Sequence, residues 1–176
     1  MKKPSVFTVG HSTRSVDDLV ELLDAFGVKQ IVDVRSVPKS RHNPQFNKDE
    51  LRLSLKAKGV GYKHIKELGG LRHSKKDSIN LGWRNLSFRA YADYMATPEF
   101  AKGLRALTEI ARERPTAVMC AEALPWRCHR SLIADALTKS GWLVRDIMSS
   151  THAPRHRLTP FLKVRKGQLT YPKSAA

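Results

Sequence analysis

Residues Ser5–Arg35 read SVFTVGHSTRSVDDLVELLDAFGVKQIVDVR, and this stretch decides the fold. It begins and ends with short apolar runs, Val6–Val9 and Ile31–Val32. A buried parallel strand reads this way, because helices cover both faces of its sheet. Between the runs, Ser15 stands where a helix N-cap belongs, with Asp18 as its capping-box partner. Val16, Leu19, Val20, Leu23 and Phe26 follow at helical spacing, and Gly27 supplies the stop. The unit is strand (5–10), helix, strand (30–34). A crossover of this length joins parallel strands with a right-handed connection.

The same grammar extends outward. Thr116–Ala121 is a third apolar run, followed by a helix from about Cys128 to Ser140 and a strand over Leu143–Met148. Between them lie a long irregular segment, Arg35–Phe46, a helix after Asn47 carrying Leu51 and Leu55, and a short strand at Gly61–Ile65. Arg72–Leu86 reads as a mobile surface loop or lid. A short helix is expected over Phe88–Met95, and a long one after Thr97-Pro98. The tail, with Lys163–Arg165 and Gln168–Tyr171 around Gly167, reads as a small hairpin. The expectation is one α/β domain over residues 1–176, with a mainly parallel sheet and helices on both faces. Residues 149–176 form a basic C-terminal extension of the same domain.

The 176 residues carry 32 Lys+Arg against 16 Asp+Glu, a formal charge of +16. A sequence pI near 10.3 fits nucleic acid, nucleotide or another polyanion as partner, and equally fits a basic solvated surface. No acidic residue follows Asp146. The aromatics form no recognisable base-stacking motif. No stretch approaches the length of a membrane span, so no membrane partner is expected. The apolar run behind Met1-Lys2-Lys3-Pro4 is too short for a signal peptide, and two cysteines cannot make a disulfide scaffold. The expected setting is cytoplasmic. The sequence assigns no cofactor and no oligomeric state.

Polar clusters close each of the three apolar runs. In open α/β sheets ligands bind beyond the carboxyl ends of the strands. Gly10-His11-Ser12, Asp33-Val34-Arg35 and Cys120-Ala121-Glu122 therefore converge on one crevice. His11, Asp33, Arg35, Cys120, Glu122 and Arg130 are expected to line one pocket. Cys120 or Cys128 is the candidate nucleophile, with Glu122, His11 and Asp33 in acid–base roles. Ser12, Arg35, Ser40, His64, His129 and Arg130 are candidates for binding substrate or an anion. Cys128 opens a helix amid cations, so it is expected to be the more reactive thiol, and the helix start to attract an anion. Each residue also has a plain reading: a core cysteine, a capping His-Ser pair, a structural Asp–Arg pair, a solvated loop. Cys-x7-Cys-His is not a standard zinc spacing, and no metal site is assigned.

Taken together, several motifs in order resemble the DUF488 family. They are Thr8-Val9-Gly10-His11-Ser12, Asp33-Val34-Arg35-Ser36-Val37-Pro38-x-Ser40, Pro44-x-Phe46, Tyr62-x-His64-x-x-x-Leu68-Gly69-Gly70, and Cys120-Ala121-Glu122 with Cys128-His129-Arg130. The likeness spans roughly Phe7 to Ile147. It implies a compact α/β domain and supports the choice of site residues, without naming a reaction.

Two functions are weighed. One is an enzyme acting on a phosphorylated or nucleic-acid substrate in a polar crevice. The other is a noncatalytic nucleic-acid-binding module with structural or redox-responsive cysteines.

Overall fold

In the computed structural model, which describes residues 3–173, the elements follow in chain order. They are β1 (Ser5–Gly10), α1 (Val16–Ala25), β2 (Gln30–Asp33), α2 (Lys48–Ala57), β3 (Gly61–His64), α3 (Leu86–Tyr94), α4 (Pro98–Glu113), β4 (Thr116–Cys120), α5 (Arg130–Lys139), β5 (Leu143–Asp146), β6 (Lys163–Arg165) and β7 (Gln168–Thr170). The ends of the expected 1–176 span, residues 1–2 and 174–176, lie outside the described residues.

β1 and β2 bracket the crossover as the sequence predicts, but they do not touch. β4 inserts between them and pairs in parallel with both. The order is β3-β2-β4-β1-β5, and every pairing is parallel. The predicted capping box of α1 is present: Asp18 N donates to Ser15 Oγ at 3.0 Å, and Ser15 N donates to Asp18 Oδ2 at 3.1 Å.

Strand alternation sorts the core into two faces. Val6, Val32, Val118 and Cys120 pack with Tyr91 of α3, Phe100 and Leu107 of α4, and Leu132 and Ile133 of α5. Val9, Ile31, Ala117 and Met119 pack with Leu19 and Leu23 of α1 and Leu51 and Leu55 of α2. Each of these side chains is buried, contributing roughly 1.5–3 kcal/mol apiece for the larger ones. No helix among the described residues is long and apolar enough to cross a membrane.

Two helix starts differ from expectation. Helix α5 begins at Arg130, because residues 125–127 form a 3-10 turn and Cys128 is extended. Helix α3 begins at Leu86, capped by Asn85 Oδ1. The segment 72–85 is irregular, but it is anchored, which corrects the lid reading. Buried Asp93 accepts from Ser78 Oγ at 2.7 Å and Asn80 Nδ2 at 2.8 Å, and Asn80 Oδ1 accepts from Tyr171 N. The tail hairpin turns through Lys166 (φ 49°) and Gly167 (φ 78°), the paired positive φ of a tight type I′ turn.

After β1 the chain leaves toward the α1 face; after β4 it leaves toward the α5 face. Gly10 and Cys120 are register partners at the ends of these adjacent strands. The divergence opens a crevice between the two connections, where a doubly wound sheet binds ligands.

Candidate functional site

A cleft of about 760 Å³ occupies this crevice. Gly10 fixes how closely its two connections approach one another. A Cβ there would come within 2.6 Å of the Glu122 carbonyl carbon and 2.7 Å of Ala123 Cα. Only glycine lets the connection after β4 lie this close to β1. His11 N and Ser12 N donate to the Cys120 and Ala121 carbonyls, locking the two loops together. Ser12 holds φ 52° to do so, a conformation uncommon for a side-chain-bearing residue.

The α5-face wall holds the thiols. Cys120 ends β4 on the alternation register that faces α5. Arg130, the first residue of α5, sends its guanidinium back beneath the loop. Its Nη1 donates to Cys120 Sγ at 2.7 Å and to the Glu122 carbonyl, and its Nη2 donates to the Ala123 carbonyl at 2.8 Å. Its Nε is buried without a partner. Burial works against the Cys120 thiolate, but the adjacent Cys128 thiol and the Arg130 cation outweigh it, bringing its pKa down to about 7. Cys128 shifts the other way: the neighbouring Cys120 sulfur and burial push its thiol up. It keeps its proton while Cys120 gives one up.

His129 packs against this wall. Its Nε2 lies 2.9 Å from the Val34 carbonyl, so Nε2 carries the proton and Nδ1 faces Cys128 Sγ at 3.6 Å as an acceptor. Burial lowers its pKa to about 4. Gly70 seals the ring in place, since a Cβ there would meet His129 Nδ1 at 2.6 Å.

The α1-face wall is built on Asp33, which is fully buried. Arg35 donates to it through Nε (3.0 Å) and Nη2 (2.6 Å), and Tyr62 OH donates to Oδ2 at 2.6 Å. Arg35 Nη2 also donates to the Phe46 carbonyl, and Nη1 lies 3.3 Å from His11 Nε2. His11 Nδ1 faces the Ser12 carbonyl at 2.8 Å, so Nδ1 carries the proton and Nε2 accepts. Burial brings the His11 pKa down to about 4, and the ring stacks on Phe46 with centroids 4.0 Å apart. Of the five guanidinium N–H groups of Arg35, one on Nη1 is left for a ligand.

His11, Ser12, Arg35, Ser40, Cys120, Glu122, Cys128 and His129 all line the cleft. Asp33, His64 and Arg130 do not; they lie behind its walls. Asp33 fixes Arg35, and His64 Nε2 donates to the Arg35 carbonyl at 2.8 Å. Arg130 holds the Cys120 loop, which corrects its assignment to substrate. The anion-binding helix start is corrected too: the Arg130 N–H is turned to Cys128 Sγ at 3.5 Å, and the next two N–H groups go to the Cys128 and His129 carbonyls. The Arg130 side chain swings to Cys120 rather than to its sequence neighbour Cys128, so the cation expected to favour the Cys128 thiolate lies against the other sulfur. Glu122 Oε1 accepts from Leu124 N at 3.1 Å at the lip.

Lys39, Leu71, Ser87 and Phe88 also line the cleft. Sequence reasoning missed them because Lys39 comes from the irregular 35–46 segment, Leu71 from the loop after β3, and Ser87 and Phe88 from the first turn of α3, all distant from the strand ends in sequence. Lys39 has a readable signal, its place inside the Pro38-x-Ser40 motif. Among the described residues no group of three or more His, Cys, Asp or Glu side chains is placed to hold a metal.

No curated protein and no solved structure matches the chain. A family profile, a domain of unknown function designated DUF488, matches residues 15–137. That span holds α1 through most of α5 and therefore Asp33, Arg35, both cysteines and Arg130. It covers 123 of the 176 residues, and the chain belongs to the DUF488 family.

Proposed function

We propose that this chain is an enzyme that turns the Cys120 thiolate on a phosphorylated or nucleic-acid substrate held in the cleft. One observation carries the reading: a buried guanidinium 2.7 Å from the sulfur of Cys120, a residue that lines the cleft, with the thiol pKa brought to about 7. About half of such a group is ionised at neutral pH, which is what a sulfur nucleophile needs. Arg130 is a positioning residue, acting through Cys120. The spare Nη1 hydrogen of Arg35, with Lys39 and Arg127 in the cleft wall, suits an anionic group. His11 and His129 stay neutral and hold the walls in register.

In the step this arrangement fits, a Cys120 Sγ lone pair forms a bond to an electrophilic phosphorus or carbon. The bond to the leaving oxygen breaks with its electron pair, and that oxygen takes a proton from solvent. Water, its proton accepted by the Glu122 carboxylate and passed to solvent, then cleaves the sulfur-bound intermediate and returns the sulfur to its thiolate.

The test is turnover of p-nitrophenyl phosphate, nucleoside monophosphates and terminally phosphorylated oligonucleotides by wild type, Cys120→Ser and Glu122→Gln. Activity that falls to background in Cys120→Ser supports the reading. Equal activity in both proteins overturns it.

The formal charge of +16 favours the noncatalytic nucleic-acid-binding module as a second reading. Under it, oligonucleotide binding falls steeply with salt and survives both substitutions, with no turnover of any phosphorylated compound.

A further inference from the structure

Away from the cleft, two adjoining hollows of about 580 and 500 Å³ run along the tail hairpin and share Phe161 and Lys173. Arg84 and Arg89 line one; Lys163 and Arg165 line the other. Arg89 is tied to the Trp83 carbonyl through Nε and Nη2. Among the described residues, Arg84, Lys163, Arg165 and Lys173 form no salt bridge. No carboxylate lines either hollow. Their apolar lining is formed by Leu81, Phe161 and Val164, with Leu81 and Val164 49% and 50% exposed.

The groove is coupled to the cleft by a stack of rings. Phe161 packs edge-on against Trp83 at 5.0 Å, and Trp83 stacks on Phe88 at 4.8 Å. Phe88 lines the cleft. One short segment, residues 81–89, thus separates the basic groove from the thiol site.

We propose that this groove binds the backbone of a single-stranded nucleic acid and leads the strand across residues 84–88 to the cleft. Unpaired cations along an apolar-lined channel match what a single strand presents, phosphates on one side and base faces on the other. A duplex hides its base faces and offers nothing to Leu81, Phe161 or Val164. The proposal rests on the catalytic reading only for the strand's destination; the groove itself stands on its own residues.

The experiment uses the full chain and a fluorescein-labelled mixed-sequence 20-nucleotide single strand, read by anisotropy across a salt series. The variants are Arg84→Glu/Lys163→Glu/Arg165→Glu and a charge-matched control, Lys56→Glu/Arg105→Glu/Lys139→Glu, on α2, α4 and α5. The groove variant should bind at least about tenfold more weakly at 150 mM salt. Its log–log salt slope should be shallower by about 2, the value for three lost phosphate contacts at about 0.7 each. The control should lose less than about threefold.

Equal loss in the control overturns the groove, as does wild-type affinity in the groove variant. Tighter binding of the matching duplex overturns the single-stranded occupant. If the groove variant loses only its affinity for phosphatidylserine vesicles, the surface faces lipid and the proposal fails. Cys120→Ser should bind the strand as wild type does. The groove variant should keep wild-type alkylation of Cys120 and turnover of p-nitrophenyl phosphate, so the thiol reading and the groove fail separately.

Discussion

The Arg130 guanidinium meets the Cys120 sulfur at 2.7 Å inside the wall of the cleft. Arg130 is 1% exposed, and the other hydrogen bonds of its guanidinium go to backbone carbonyls. Carbonyl dipoles solvate a buried cation but do not neutralise it. The thiolate does, and this gives a solvent-linked property of Cys120 that can be measured directly.

Iodoacetamide alkylation of Cys120 should rise with an inflection near pH 7, where an ordinary thiol inflects near about 8.5. Arg130→Lys should move the inflection upward, since an ammonium cannot hold the sulfur and two carbonyls in one planar fork. Cys128 should alkylate only at more alkaline pH. Peptide mapping by mass spectrometry separates the two sites. An inflection for Cys120 at the ordinary thiol value removes the Arg130 effect.

The strand ends and the crevice were legible in the sequence because they depend on backbone periodicity. Alternation along β4 puts Cys120 on the α5 face whatever its neighbours do. Side-chain direction inside the 121–129 connection was not legible. Adjacency in Arg127-Cys128-His129-Arg130 suggests that the cations serve Cys128, yet the chain bends so that Arg130 reaches ten residues back. Asp33 shows the same gap. Its spacing to Arg35 is readable, but the Tyr62 hydroxyl that bonds it arrives from β3, and the Phe46 carbonyl that shares Arg35 arrives from the 35–46 segment. The insertion of β4 between β1 and β2 is likewise a long-range outcome that no local pattern encodes.

Gly10→Ala should destabilise the fold and disturb the thiol together. The added methyl meets the Glu122 and Ala123 backbone, which cannot rotate away as a side chain would. Overpacking of this kind costs about 1–3 kcal/mol. The displaced connection carries two of the carbonyls that hold Arg130, so the Cys120 inflection should rise. Urea unfolding and alkylation profiles check both. Wild-type stability would show that the connection moves freely.

Asp33→Asn should act chiefly on stability, because Asp33 touches no part of the cleft surface. Breaking a buried ion pair from one side costs about 3–5 kcal/mol, and Arg35 would be left facing an amide. Tyr62→Phe removes only one of the hydrogen bonds to Asp33 and should cost about 1 kcal/mol. Chemical denaturation at neutral pH measures both. If Asp33→Asn abolishes turnover while unfolding as wild type does, Asp33 is a proton carrier and not a support for Arg35.

The last prediction concerns pH and the C-terminal segment. His156 lies between two buried carboxylates, with Nε2 2.8 Å from Asp135 Oδ1 and Nδ1 3.3 Å from Asp146 Oδ2. Burial opposes its charge, but these two acceptors prevail and raise its pKa from 6.5 to about 9. Both ring nitrogens face carboxylates, so the imidazolium is the form that satisfies the site. A pKa raised on folding means that the folded state binds the proton more tightly. The stabilisation is therefore complete below pH 6.5 and is lost as pH rises through about 9. At about 1.4 kcal/mol per pH unit the full effect is on the order of 3–4 kcal/mol. The loss should be local in origin, since Asp135 also holds Thr159 N and Tyr171 OH, and Asp146 holds Thr8 Oγ1. Deprotonation thus loosens the anchor between the tail, α5 and β1. Thermal and urea unfolding between pH 6 and 9.5 should show the stability gap between wild type and His156→Gln, which starts less stable, closing as pH rises; the comparison removes the opposing gain from Cys120, whose lowered pKa adds stability over the same range in both proteins. Two profiles that run parallel between pH 6.5 and 9 would show that His156 is neutral throughout that range.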